Sequence, residues 1–371
     1  MLSLRDFWRR HKRKVFAALG VLGSGYVLYK LYDAHRRRLS QLESELEDQR
    51  ETEELIKAQL QAHFENIQRI ADSTTLPYAM HCLRNRITEE LDLSHLTGRL
   101  LQGKGHPNTL TYVEKLELWE RLKIQSFTLM VLSLWAMTML NLYVRVQVNI
   151  LGRHLYIDTA RGVENSHLME EVDKFQRHGQ QEFLESADFL SSYSITTLIQ
   201  NMQMAAAEVL KEEQLRHPFN SSLLHETIMQ ILDMFMNMNG PNHWVTYLVP
   251  ENALSYKHQS ATSSNEALPD ISKLDQLMTE TRAVLLSSDF GNVVKISLRA
   301  VVDTLMEDIM IQFSGGNLPS GIPLAKLLPR VAQMGRPLLE EPSNNKFIQT
   351  IRNLPDVELF YTLLYANMPS L

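Results

Sequence analysis

Hydrophobic residues recur along most of this chain at the three- and four-residue spacing of helices that bury one face. The first apolar stretch is of another kind. Between Lys14 and Lys30 lie fifteen uncharged residues, and Leu31 and Tyr32 extend the run if Lys30 draws its ammonium toward water. As a helix, residues 15–32 span ~27 Å, close to the ~30 Å of a hydrocarbon core. Phe7 and Trp8 before the run, with Tyr26, Tyr29 and Tyr32 toward its end, are side chains favoured at membrane interfaces. A secretory signal would end in small residues, whereas this run ends in Tyr-Lys-Leu-Tyr. A buried soluble helix is the other alternative. The favoured reading is one transmembrane anchor over 15–32, preceded by a basic tail at 1–14.

Residues 39–72 keep helical spacing through Leu39, Leu42, Leu46, Ile56, Leu60, Ile67 and Ile70, with polar residues interrupting the seam. The spacing predicts an extended, solvated helix; a homodimeric coiled coil is the weaker alternative. One or two helices follow over 76–101, then a loop at 103–108. From Ile124 to Val144 there are 21 residues without a charge. Length alone would make this a second membrane span. Yet Gln125, Ser126, Thr128, Ser133, Thr138 and Asn141 are spread around the whole circumference, which suits a helix buried at the centre of a soluble bundle. Val144, Val146, Val148 and Ile150 alternate with polar residues as in a strand, but Leu140, Val144, Val148 and Leu151 continue the helix. With no hairpin signal nearby, helix is expected to persist there.

Loop is expected at 158–166 and helices at 169–213 and 221–238. Ser272-x-x-Asp275 resembles a capping box at the start of another helix, and Phe290 to Ile309 mark a long one. Leu324–Val331 and a last helix near 356–367 complete the pattern. The class is all-α: a single N-terminal transmembrane helix, then one large helical bundle over 33–371. Mobile loops are expected near 103–110, 251–270 and 314–322.

Composition agrees and charge adds an asymmetry. Hydrophobic residues make up 44% and charged residues 22%, enough to fill a core and too apolar for a disordered chain. Residues 1–38 carry ten Lys and Arg against Asp6 and Asp33, a balance of +8. The net charge of −6 therefore leaves −14 on the remaining 333 residues. An acidic body with a short basic head argues against a nucleic-acid partner. The lone Cys82 excludes an internal disulfide framework and any CxxC site.

Catalytic signals are sparse. GxSxG, HExxH and P-loop patterns are missing, and Gly20, Gly23 and Gly25 lie inside the apolar run. His217 and His225 flank a Pro-Phe break without an acid at ligand spacing, so neither metal nor cofactor is expected. Met234, Met236 and Met238 suit core gap-filling better than an interaction surface. Asn220-Ser221-Ser222 is a glycosylation sequon with meaning only outside the cytosol. A docking protein, not an enzyme, fits this inventory. In KLELWERLKIQ (115–125), Leu116, Leu118, Trp119 and Leu122 spread over an arc of ~160°, wider than the ~100° a core stripe needs. Trp119 and Leu116 at one margin, flanked by Lys115 and Lys123, have the composition of a hot spot for an amphipathic helix. The alternative is that Trp119 is a core residue.

Several long blocks carry a resemblance. FWRRHKRKVFAALGVLGSGYVLYKLY (7–32), KLELWERLKIQSFT (115–128), LYVRVQVNILGRHLYID (142–158), PLAKLLP (323–329) and NLPDVELFYTLLYANMP (353–369) resemble the peroxisomal biogenesis protein 3 (peroxin-3) family, in its plant-type form. The resemblance runs nearly end to end. It implies a single-pass peroxisomal membrane protein with its tail in the lumen and its bulk in the cytosol. The partner implied is peroxin 19, the soluble chaperone of newly made membrane proteins, whose amphipathic helix lies in a hydrophobic groove. Arg9, Arg10, Lys12, Arg13 and Lys14, with the anchor, would be the targeting signal and contact membrane lipids. Trp119, Leu116, Lys115, Lys326, Leu155 and Leu101 would form the groove. A helical adaptor or tether at the endoplasmic reticulum or another organelle remains the alternative reading.

Overall fold

The structure, a computed structural model, describes residues 68–105, 111–162, 182–250, 268–312 and 321–366, with further helical positions scattered between 36 and 66. The chain separates into two compact units, Met1–His63 and Phe64–Leu371. Described positions in the first unit are all helical. The expected anchor at 15–32 and the basic tail with Arg9, Arg10, Lys12, Arg13 and Lys14 lie outside the described residues.

In the second unit a π-helical turn, Ala71–Thr75, leads into α1 (Leu76–Glu90) and α2 (Ser94–Gly105). Then comes α3 (Tyr112–Gly162), 51 residues long or ~77 Å at 1.5 Å per residue. After a 3₁₀ turn and a second π-helical turn follow α4 (Ile195–Val209), β1 (Pro218–Phe219) and α5 (Ser221–Asn237). The C-terminal part holds α6 (Leu268–Leu285), α7 (Ser288–Gln312), β2 (Ile322–Pro323) and α8 (Leu324–Leu338). It ends with α9 (Lys346–Arg352) and α10 (Pro355–Ala366).

The all-α class holds. Every other described α-helix packs directly on α3, which forms the axis of this unit. A helix that is apolar all round has no face to turn to water. Accordingly, every residue from Met130 to Arg153 is buried. By length and composition this helix could cross a membrane, but its most apolar 18-residue window is 94% enclosed by the protein itself. Three of the polar residues spread around it are accommodated locally, while Ser126 Oγ and Asn141 Nδ2 are buried without a partner. Thr128, Ser133 and Thr138 donate their hydroxyls to the carbonyls of Ile124, Leu129 and Leu134, at 2.8, 2.7 and 2.8 Å. Trp135 anchors the middle, with its indole N–H 3.1 Å from Met236 Sδ and its ring edge-on to Phe235. Met236 is thus half-buried against the core, while Met234 is exposed.

The alternating stretch 144–150 is helical, as expected, and the polar residues between its valines are themselves buried. Several boundaries differ from the sequence reading. Helix α3 continues to Gly162, where loop was expected from 158, and α2 continues to Gly105, past the expected break at 103. Helix α6 begins at Leu268, so Ser272 and Asp275 lie within it and do not cap it. Helix α8 runs past Val331 to Leu338 because Met334, Gly335 and Leu338 extend its buried stripe. Residues 106–110, 251–267 and 313–320 of the expected loops lie outside the described residues. One two-residue antiparallel ladder, Pro218 with Pro323 and Phe219 with Ile322, is too short to leave a sequence period.

Helix α8 lies closest along α3. At Gly335 an added Cβ would stand 3.1 Å from Ser133 Oγ and 3.4 Å from the Leu129 carbonyl oxygen, and the latter cannot move without bending α3. Gly335→Leu is therefore expected to destabilise the unit by ~2 kcal/mol or more through overpacking. Denaturant unfolding with an unchanged m-value would check it.

Candidate functional site

The first turns of α3 are built differently from its middle. Thr111 caps the helix: the Glu114 amide donates to its hydroxyl at 3.3 Å, and its own amide donates to Glu114 Oε2 at 2.7 Å. This reciprocal pair is a capping box. It holds the Glu114 carboxyl below its usual range, the backbone bond from Thr111 contributing most and the hydroxyl bond at 2.8 Å next. The box fixes where the helix starts, and hence which side chains share a face.

That face is apolar and open. Tyr112, Leu116 and Trp119 stand at i, i+4 and i+7, one above another, with Val113 beside them. Tyr112 is 77% exposed, Val113 71% and Leu116 45%, while Trp119 is half-buried. Leu118 and Leu122 turn the other way into the core. The wide arc read from the sequence is thus two faces, one packed and one presented.

Lys123 belongs to the packed face, not to the flank of the stripe. It is buried, and its Nζ donates to the Leu210 carbonyl at 3.1 Å and the Glu213 carbonyl at 2.7 Å. Glu120 completes the shell at 2.6 Å. Two carbonyls just past the C-terminus of α4 thereby accept from a cation. The same turn receives α8: the Ala325 amide donates to the Leu215 carbonyl at 2.9 Å and the Leu324 amide to the His217 carbonyl at 3.0 Å. Since Gly335 lies against Leu129 and Ser133, α3 and α8 run in the same direction. The exposed Lys326, in the first turn of α8, therefore stands at the Trp119 end of the axis.

The structure brings Lys115, Leu116, Trp119 and Lys326 to one end of the unit. Leu101 lies in α2, which packs on α3 and ends seven residues before Tyr112. Leu155 is not brought there. It lies 36 residues beyond Trp119 on the same continuous helix, about 54 Å along its axis. One groove around Trp119 cannot include it.

Tyr112 and Val113 were missed from the sequence, although Thr-x-x-Glu at 111–114 was the available signal. Also missed was a recess of about 660 Å³ between the first turn of α5 and the last turns of α7, where Met310 and Ile311 are exposed. His225 lines it and bonds Asp303 at 3.0 Å, while His217 bonds Glu213 at 2.7 Å. The two histidines thus face separate acids. Asn220 of the sequon caps α5, accepting the Leu223 amide at 2.8 Å. Among the described residues no cluster of three or more potential metal ligands occurs.

Comparisons with known proteins converge. The Peroxin-3 family model matches residues 105–367, which include both Trp119 and Lys326. The chain is 54% identical over 366 residues to Peroxisome biogenesis protein 3-2 of Arabidopsis thaliana, covering 99% of each. It is 52% identical to Peroxisome biogenesis protein 3-1 of the same plant, again over 99% of each. To Peroxisomal biogenesis factor 3 of Homo sapiens it is 28% identical, covering 98% of this chain and 96% of that one.

The capping box gives the presented face a pH dependence. Because the folded-state pKa of Glu114 is depressed, its stabilisation is present above the ordinary value of 4.5 and lost as pH falls through the lower folded value. Thr111→Ala should accordingly cost more stability at pH 7 than at pH 3. Paired denaturant titrations at the two pH values measure the difference.

Proposed function

The chain belongs to the Peroxin-3 family, and on that premise we propose that it is a docking receptor in peroxisome biogenesis. It sits in the peroxisomal membrane by the anchor at 15–32 and turns the bundle that follows toward the cytosol. Its partner is peroxin 19, which delivers peroxisomal membrane proteins. The observation that carries this reading is the open apolar stripe Tyr112, Leu116 and Trp119 on the first turns of an otherwise buried helix.

Such a stripe is what an amphipathic partner helix requires. Large side chains at i, i+4 and i+7 interdigitate with the apolar face of a second helix, and a half-buried Trp is already partly desolvated. Lys115 and Lys326 supply positive charge near the stripe for an acidic flank on the partner. This is recognition chemistry without catalysis: burial of apolar surface gives affinity, and charge gives orientation. The recess at Met310 and Ile311 opens a further apolar surface for the same class of contact. Bringing the chaperone to a membrane-anchored protein places its cargo beside the bilayer.

Trp119→Ala should cost ~2 kcal/mol or more of affinity for the N-terminal helix of peroxin 19, roughly thirtyfold, with helicity intact. Isothermal titration calorimetry measures it, and unchanged affinity would remove the stripe from the reading. Leu116→Ala should weaken binding in the same assay, whereas Leu155→Ala, a helix length away, should leave it unchanged.

A further inference from the structure

The docking stripe is on α3 and Lys326 is on α8, so their spacing depends on what holds the starts of the two helices together. A close approach of α8 to α3 lies further along, at Gly335 against Leu129 and Ser133. At its start α8 has Pro323 as N-cap and no side-chain cap. Its first amides are taken instead by the turn after α4: Leu324 donates to the His217 carbonyl at 3.0 Å and Ala325 to the Leu215 carbonyl at 2.9 Å. The ladder of Pro218 with Pro323 and Phe219 with Ile322 continues the same join.

That turn is braced within itself. The Glu213 amide donates to the Leu210 carbonyl at 3.1 Å, the His217 amide donates to the Gln214 carbonyl at 2.9 Å, and His217 Nδ1 lies 2.7 Å from Glu213 Oε2. Lys123 enters it from α3 with a side chain only 3% exposed, and donates to the Leu210 and Glu213 carbonyls. Glu120, between Trp119 and Lys123 in sequence, holds the ammonium at 2.6 Å. Hydrogen bonds from an ionised donor are stronger than neutral ones, so this grip on the turn is firm. From Trp119 the contacts therefore pass one helical turn to Lys123, then to the turn at 210–217, then to the α8 amides beside Lys326.

We propose that Lys123 is a positioning residue for docking: by holding the turn at 210–217 it sets the spacing between the apolar stripe and Lys326. That spacing is what the partner helix must match between its apolar face and its acidic flank. The proposal rests on the docking reading above and assigns the residue that determines the match. A lysine that only satisfied two carbonyls would affect stability alone. Loosening the turn instead moves Lys326 relative to Trp119, and an ion pair at the rim weakens as its charges separate and water screens them.

The test is a double-mutant cycle on the full chain in nanodiscs, with the N-terminal helix of peroxin 19 titrated calorimetrically at low and high salt. Lys326→Gln should weaken binding about fivefold at low ionic strength and less at high. Lys123→Met keeps the apolar stem and removes the ammonium. It should weaken binding too, and in its background Lys326→Gln should change neither affinity nor salt dependence. Gly321→Ala loosens the same join from the α8 side, since its φ is +83° and an added Cβ would stand 3.1 Å from Pro218 Cβ. It should abolish the Lys326 effect in the same way, and it decides if Lys123→Met fails to fold by circular dichroism. Arg153→Met, which removes a buried cation near the other end of α3, should lower thermal stability yet leave the Lys326 effect intact. A Lys326 effect that persists in Lys123→Met, or that Arg153→Met abolishes equally, overturns the positioning role. A silent Lys326→Gln beside an effective Trp119→Ala also overturns it, and silence of both removes the docking reading as well.

Discussion

Everything else in the described bundle depends on enclosing one helix completely. From Met130 to Arg153, α3 has no wet face, so its polar groups can bond only from within. Many do so, in two ways, although Asn141 Nδ2 and Arg145 Nη1 stay unpaired. Toward its first half, Thr128, Ser133 and Thr138 bond back to carbonyls of their own helix, which frees the surrounding helices to be apolar. Toward its second half, polar groups reach across to other segments. Gln147 bonds the Phe183 carbonyl at 2.8 Å and Ser186 Oγ at 3.0 Å, and the Tyr361 hydroxyl bonds the Leu142 carbonyl. The self-satisfied half imposes close packing, and the cross-bonded half specifies which segment sits where.

A helix held this way is also a ruler. The Lys123 contacts fix the α4–β1 turn near one end, and the Arg153–Glu280 pair fixes α6 near the other. Between them the rise of 1.5 Å per residue determines which side chains can cooperate. Trp119 and Lys326 share an end; Trp119 and Leu155 do not. Arg145 lies between, bound to the segment before α1 and stacked on α10.

The sequence made the axis readable and left its ends unreadable, for identifiable reasons. Twenty-one uncharged residues with polar groups all round admit few solutions, and the buried helix was the one favoured over a membrane span. Boundaries depend on single bonds. Thr111 and Glu114 form a capping box that went unread, while Ser272 and Asp275 were taken for one inside α6, because a spacing alone does not say which backbone amides are unpaired. Lys123 was placed at the rim because a lysine is normally solvated. Its burial depends on carbonyls nearly ninety residues away, a contact with no local trace. The family resemblance implies Leu155 in the groove, but a shared motif fixes residue identity and not distance. The stripe was half visible: Leu116 and Trp119 from the wheel, Tyr112 and Val113 only once the cap fixed the helix start.

The exposed stripe is held in place by the buried helix behind it. Tyr112 and Val113 add little to folding, since each stays largely in water. Their positions nevertheless are fixed, by the cap at Thr111 on one side and by Lys123 one turn beyond Trp119 on the other. In the proposed docking role a partner helix would therefore meet a preformed surface, and the ordering entropy of association would fall mainly on the partner. The same rigidity limits what the site can accept. In the proposed docking role a partner helix would have to match large residues at a seven-residue span, because the cap and the lysine shell hold that spacing. Selectivity in that role would follow from the enclosure of α3, without any polar group at the centre of the stripe.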